Sequence, residues 1–74
     1  TSGKDRALRS EREKLLQKYR KTEQEIDTLE NNIGFFAKSK NADTLVAEVR
    51  KKIEQQKEEL LRIEEKIKII DNQF

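Results

Sequence analysis

A seven-residue repeat decides the fold, and it is clearest in residues 46–70, which read VAEVRKKIEQQKEELLRIEEKIKII. Apolar residues recur there at alternating steps of three and four, the spacing that aligns them in one stripe along an α-helix. Only Gln56 interrupts the stripe with a polar side chain. A stripe of this kind is typical of a coiled-coil seam. In heptad letters the a positions are Val46, Ile53, Leu60, Ile67 and Phe74, and the d positions are Ala42, Val49, Gln56, Ile63 and Ile70.

The same repeat runs through the earlier segment, residues 8–36. No proline breaks either run, and the strict alternation typical of a strand is nowhere sustained. Two seams of similar length predict an all-α fold, an antiparallel two-helix coiled-coil hairpin. In the first helix the a positions are Arg12, Tyr19, Ile26 and Ile33, and the d positions are Leu8, Leu15, Thr22 and Leu29.

The connection between the helices is predicted from Gly34 and Asn41. Gly34 suits the left-handed position that ends many helices, with Phe35 packing back on the last turn, and Asn41 is a good N-cap for the next helix. The predicted helices span about residues 4–33 and about 42–73, with a loop over about 34–41 and a rod about 45 Å long. One unbroken helix is the alternative, because a glycine inside a helix costs only about 1 kcal/mol.

Two antiparallel registers, one heptad apart, satisfy both seams. In the tighter register facing residue numbers sum to about 75, and Tyr19 lies near Gln56. In the looser register they sum to about 82, and Ile26 faces Gln56 instead. Ion pairs between flanking g positions, such as Lys18 with Glu59, favour the tighter register, although each exposed pair contributes only tenths of a kcal/mol. The tighter register is therefore the prediction.

The composition excludes several classes of function. The 74 residues contain no Cys, His, Met, Pro or Trp, which removes disulfides, zinc fingers, thiol nucleophiles and histidine bases. The carboxylate pairs at 58–59 and 64–65 have Lys and Arg nearby and are expected to be solvated surface. We therefore predict no enzyme activity, no catalytic or metal-binding residues and no cofactor. No apolar run reaches the ~18 residues of a membrane span. The chain opens with Thr1 and is expected to be a single hairpin from a longer protein.

Charge is unevenly distributed along the chain. Residues 1–21 contain eight Lys or Arg against three Asp or Glu, a net charge of +5, whereas residues 22–33 carry four acids and no base. Such a basic segment is typical of contact with phosphate, in nucleic acid or the ribosome, and Arg6, Arg9 and Lys14 are the candidate residues. The overall charge of only +2 and the lack of stacking aromatic residues favour a solubilising helix surface, with weak nucleic-acid binding at most.

Four apolar residues lie outside both seams: Leu16, Leu45, Leu61 and Ile69. Scattered exposed leucines are ordinary in proteins. A two-helix hairpin buries only one apolar stripe per helix, however, and this small buried surface gives an isolated hairpin little stability. These residues are therefore a candidate association face, covered either by other helices of the parent protein or by a second copy in a homodimer.

The run Glu30-Asn31-Asn32-Ile33-Gly34-Phe35-Phe36 is similar to a turn motif in bacterial tandem helical-repeat proteins of unknown function. In that resemblance an Arg/Lys-rich helix precedes the turn, here residues 9–21, and a Lys/Glu-rich helix follows it, here residues 51–71. The resemblance implies a place at the carboxyl end of the parent chain, and the family has no established activity to carry over. The predicted function is a non-enzymatic scaffold or protein-interaction module of a larger cytoplasmic bacterial protein.

Overall fold

The computed structural model describes residues 2–74 as two antiparallel helices joined by a short connection. Helix α1 spans Ser2–Phe36 and helix α2 spans Ala42–Asp71, with residues 37–41 between them. The helices lie side by side in a rod of 60 × 14 × 10 Å. The predicted all-α helical hairpin is confirmed. The rod is longer than predicted because α1 begins earlier and ends later than the sequence signals indicated.

The predicted end of α1 at Gly34 is wrong. The helix continues through this residue to Phe36, and no glycine among the described residues has a positive φ. Phe36 occupies a d position and packs on the seam against the apolar cluster that contains Val49. Half-burying a Phe side chain gives part of the roughly 1.5–3 kcal/mol of full burial, which offsets the roughly 1 kcal/mol that an internal glycine costs. Phe35 does not pack back on the helix, since it is 77% exposed and touches only the edge of the Phe36 ring.

Helix α2 begins where the sequence predicted. Asn41 occupies the N-cap position, and its carbonyl oxygen accepts a hydrogen bond from the Leu45 backbone N–H at 3.0 Å. Its side chain makes no capping hydrogen bond. Asp43 lies in the first turn, where the positive end of the helix dipole favours a carboxylate. The start of α2 therefore depends on backbone bonding and charge more than on the predicted side-chain cap.

The seam holds the whole buried core, in two apolar clusters along the rod. One is built on Leu15, Ile63 and Ile70, and the other on Ile26, Val49 and Ile53. All six occupy a or d positions, as the heptads predicted. Flanking them are half-buried residues of the same stripes: Leu8, Tyr19 and Ile67 on the first cluster, and Leu29, Ile33, Phe36 and Leu60 on the second.

The predicted register is wrong, and the looser one forms. Residue numbers sum to between 81 and 83 in three of the side-chain hydrogen bonds that cross the seam. In the tighter register Arg12 would lie level with Ile63, the most buried residue of the seam at 1% exposure. In the observed register Arg12 lies near the end of the rod, where its guanidinium reaches water. The three bonds are Arg12 with Asp71, Tyr19 with Glu64, and Gln56 with Glu25.

Thr22 is the buried polar residue of the seam, at 5% exposure. Its hydroxyl donates a hydrogen bond of 2.8 Å to the Lys18 carbonyl oxygen, one turn earlier in the same helix. That bond satisfies the hydroxyl but ties nothing across the seam. The Lys18 carbonyl is also the normal i−4 acceptor of the helix, so removing the hydroxyl leaves no unsatisfied partner.

Replacing Thr22 with Val should therefore stabilise the hairpin by about 0.5–1 kcal/mol, because a methyl group replaces a desolvated hydroxyl. Urea unfolding followed by circular dichroism measures the change. Thr28→Val is the matched control, since the Thr28 hydroxyl makes the same bond to Gln24 at 3.0 Å but the residue is exposed. The control should change stability little. Destabilisation by Thr22→Val would contradict this account of the seam.

Candidate functional site

Two long faces flank the seam, and the heptad letters assign residues to them. The e face is formed by e and b positions of both helices, and the g face by g and c positions. The e face includes Arg6, Arg9, Leu16, Arg20, Leu61, Glu64 and Lys68. The g face includes Glu11, Lys14, Lys18, Lys21, Glu25, Glu59, Arg62 and Lys66.

A polar seam residue of α1, Arg12, reaches the e face. Its Nε donates a hydrogen bond of 2.7 Å to Asp71 Oδ1 of α2. This bond and the charge of Asp71 raise the pKa of Arg12. The residue is half-buried while its side chain stays 39% exposed, as expected for a stem that lies along the seam with its charged end in water.

Tyr19 also crosses to α2 on the e face. Its hydroxyl donates to Glu64 Oε1 at 2.9 Å, whereas the tighter register had predicted Gln56 as its neighbour. This bond raises the pKa of Tyr19, because a phenolate beside a carboxylate would be repelled. Gln56 instead turns to the g face, where its amide donates to Glu25 Oε2. Three polar residues of the seam, Arg12, Tyr19 and Gln56, thus bond to a carboxylate on the other helix.

On the g face, Glu59 accepts from two cations. Arg62, one turn later in α2, lies 2.7 Å from it, and Lys18 of α1 lies 3.2 Å from it. The hydrogen bond from Arg62 and, to a smaller extent, the one from Lys18 lower the pKa of Glu59. Glu59 is the most enclosed of the ion-paired side chains, at 24% exposure.

The three candidate phosphate residues do not share one face. Arg6 and Arg9 lie at b and e positions on the e face, and Lys14 lies at a c position on the g face. All three are exposed. The Arg9 guanidinium sits 5.9 Å from the centre of the Phe74 ring, a cation–π contact that holds it against the end of α2. As a set these residues form no single surface.

The four candidate association residues are also divided between the faces. Leu16 and Leu61 belong to the e face, while Leu45 and Ile69 belong to the g face at opposite ends of the rod. Leu61 and Ile69 are 62% and 58% exposed, and the other two are half-buried. Leu61 lines a shallow groove with Glu64, Glu65 and Lys68. The e face therefore brings two of the four near each other.

The observed register brings basic residues of both helices onto one face, and this group was not predicted from the sequence. Lys14, Lys18 and Lys21 of α1 share the g face with Arg62 and Lys66 of α2. Sequence reasoning examined the basic segment of α1 alone and therefore left out the two cations of α2. The heptad letters carry the necessary signal, but only together with the correct register.

The described residues show neither a candidate metal site nor a candidate membrane span. Within residues 2–74 no group of three or more acidic side chains is placed to hold a metal ion. In the same residues no helix is both long and apolar enough to cross a bilayer. No family model, curated protein or solved structure matches the chain. The function is therefore argued from the two faces alone.

Glu59→Gln should lower the melting temperature at neutral pH, because it removes the carboxylate that Lys18 and Arg62 share. The Glu59 pKa is depressed in the folded state, so its stabilisation is present above the unfolded value near about 4.3 and is lost as pH falls through the folded pKa. Thermal melts of both proteins should therefore converge in acid. Glu58→Gln, an exposed neighbour without an ion pair in the described chain, is the control. A Glu59 effect that persists unchanged in acid would contradict the assignment.

Proposed function

We propose that this hairpin is a non-enzymatic coiled-coil scaffold or protein-interaction module in a larger cytoplasmic bacterial protein. The observation that carries the proposal is Leu61, a large apolar side chain that stays 62% exposed on the e face. The hairpin buries one apolar stripe per helix and has no second layer of packing. Little buried apolar surface therefore stabilises the fold. A further helix on the e face would supply that layer.

The e face suits such a helix. Leu16 lies level with about residue 66 of α2, so it is about five residues, or roughly 7–8 Å, along the rod from Leu61. Charges of both signs surround the pair, with Arg20 and Glu64 beside it. An apolar centre with a mixed polar rim is the usual composition of a protein–protein interface. The occupant we favour is a second copy of the chain or a neighbouring helix of the parent protein.

The competing function, phosphate binding through Arg6, Arg9 and Lys14 acting together, receives less support. Those residues are split between two faces, and Arg9 is engaged with Phe74. Residues 1–21 have an excess of cations, but the helix does not present these three cations on one face.

The proposal predicts that the melting temperature of the chain rises with protein concentration, as mass action requires for a dimer. Leu61→Glu should abolish that dependence and give a monomer in sedimentation equilibrium. Gln55→Glu is the matched control, because it adds the same charge to α2 at an exposed c position on the other face. It should leave association unchanged.

A monomeric chain whose melting temperature depends neither on concentration nor on Leu61→Glu would contradict self-association through the e face. Dissociation by Gln55→Glu and not by Leu61→Glu would place the interface on the g face and contradict the proposal. Either result would exclude a second copy on the e face, and the first would leave a neighbouring helix of the parent protein as the occupant.

A further inference from the structure

The g face carries a cluster of cations from both helices, which we call the g-face basic cluster. Its members are Lys14, Lys18, Lys21, Arg62 and Lys66. With facing numbers that sum to about 82, Arg62 lies level with about residue 20 of α1 and Lys66 with about residue 16. The five side chains therefore occupy about 10 Å of the rod at ~1.5 Å per residue. The shared contact of Lys18 and Arg62 with Glu59 places them on one face directly.

This cluster is only partly neutralised. Within the described residues, Glu59 is the carboxylate that pairs with it, and it serves two cations at once. Lys14, Lys21 and Lys66 are exposed and make no ion pair in this part of the chain. Glu11 and Glu25, at g positions of α1, border the cluster at its two ends, but neither makes an ion pair with it in the described residues. The middle of the face therefore carries more cations than carboxylates, which creates a local positive potential.

The chemistry of the face favours phosphate over other anionic partners. Lysines are depleted at protein–protein interfaces, and stable binding to an anionic membrane surface draws on buried apolar area in addition to charge. Here the exposed large apolar side chain of this half of the face is Ile69 alone. The aromatic residue at this level, Tyr19, bonds to Glu64 on the opposite face and is not available to stack on single-stranded bases.

We propose that the g-face basic cluster binds the phosphodiester backbone of duplex nucleic acid, without reading its sequence. Lysine ammonium groups act as point charges toward phosphate oxygens, and binding of this kind releases condensed counterions. Two rows of cations, one from each helix, lie along the rod and can follow a duplex backbone. The site is distinct from the e face, so the scaffold function and nucleic-acid binding can coexist in one chain.

Because both helices contribute, the cluster exists only in the folded hairpin with the observed register. Shifted by one heptad to the tighter register, Arg62 and Lys66 would lie level with about residues 13 and 9, away from Lys18 and Lys21. The proposal therefore concerns the folded surface and differs from a basic tail, which would bind whether folded or not.

The test is fluorescence anisotropy of a short DNA duplex and of an RNA duplex, titrated with the full chain between about 50 and 200 mM salt. The triple variant Lys14→Gln, Lys21→Gln and Lys66→Gln should weaken binding by roughly tenfold or more. It should also reduce the slope of log affinity against log salt by about 2.7, at about 0.9 per phosphate contact on B-form DNA.

The matched control removes the same charge at three exposed lysines that lie outside the cluster and away from Leu61: Lys38→Gln, Lys40→Gln and Lys51→Gln. All six positions are exposed, so both triple variants should keep the helical circular dichroism and melting behaviour of the parent chain. Binding of the control should remain close to that of the unaltered chain. Loss of DNA or RNA binding in the g-face variant and not in the control supports the proposal.

Three results would overturn it. Equal weakening by both triple variants would show that net charge, and not this face, attracts the duplex. No measurable binding of either duplex at about 50 mM salt would remove the site. Binding of poly-glutamate through the same face with equal strength would identify an acidic polypeptide as its partner. None of these results depends on Leu61, so failure here is distinguishable from failure of the scaffold function.

Discussion

The structure depends on how the polar side chains of the seam meet carboxylates on the opposite helix. Apolar packing alone hardly distinguishes registers one heptad apart, because the apolar stripes repeat every seven residues. In the observed register the Tyr19 hydroxyl reaches Glu64 and the Gln56 amide reaches Glu25. One heptad away, Tyr19 would lie level with Gln56, so the two side chains could bond to each other but both would lose a charged acceptor. Arg12 would also lie level with Ile63, the most buried residue of the seam. Losing bonds to charged groups and burying a guanidinium together cost more than exposed ion pairs gain, which makes these contacts decisive.

Much of the fold was predictable from the heptads, and the errors have physical causes. All six residues of the buried clusters lie at predicted a or d positions. The end of α1 was predicted wrongly at Gly34 because the local preference of glycine was judged without the packing of the half-buried Phe36, which offsets one internal glycine. The register was misjudged because exposed ion pairs were counted as evidence. The Lys18–Glu59 pair, expected for the tighter register, also forms in the looser one at 3.2 Å, since a long Lys side chain reaches a neighbouring turn.

The candidate sites depended even more strongly on register than the fold did. Sequence reasoning found the basic character of α1 but chose Arg6, Arg9 and Lys14, which face two directions. The cluster that the folded chain presents draws Arg62 and Lys66 from α2, and no property of those residues in isolation marks them. Likewise, the four apolar residues outside the seams divide into two faces once the helices are paired. The hairpin thus separates the face that exposes Leu61 from the face that carries the basic cluster, through the same register that joins Tyr19 to Glu64.

The most direct test of that register is cross-linking between exposed e positions. The chain has no cysteine, so Glu23→Cys can be combined with Lys57→Cys in one variant and with Arg50→Cys in another without disturbing the seam. In the observed register residues 23 and 57 lie within about 3 Å of each other along the rod, while 23 and 50 are separated by about 13–14 Å. A short bifunctional thiol reagent should therefore join 23 to 57 rapidly and 23 to 50 slowly. Faster joining of 23 to 50 would show that the tighter register forms and would contradict the decisive role of the polar seam residues.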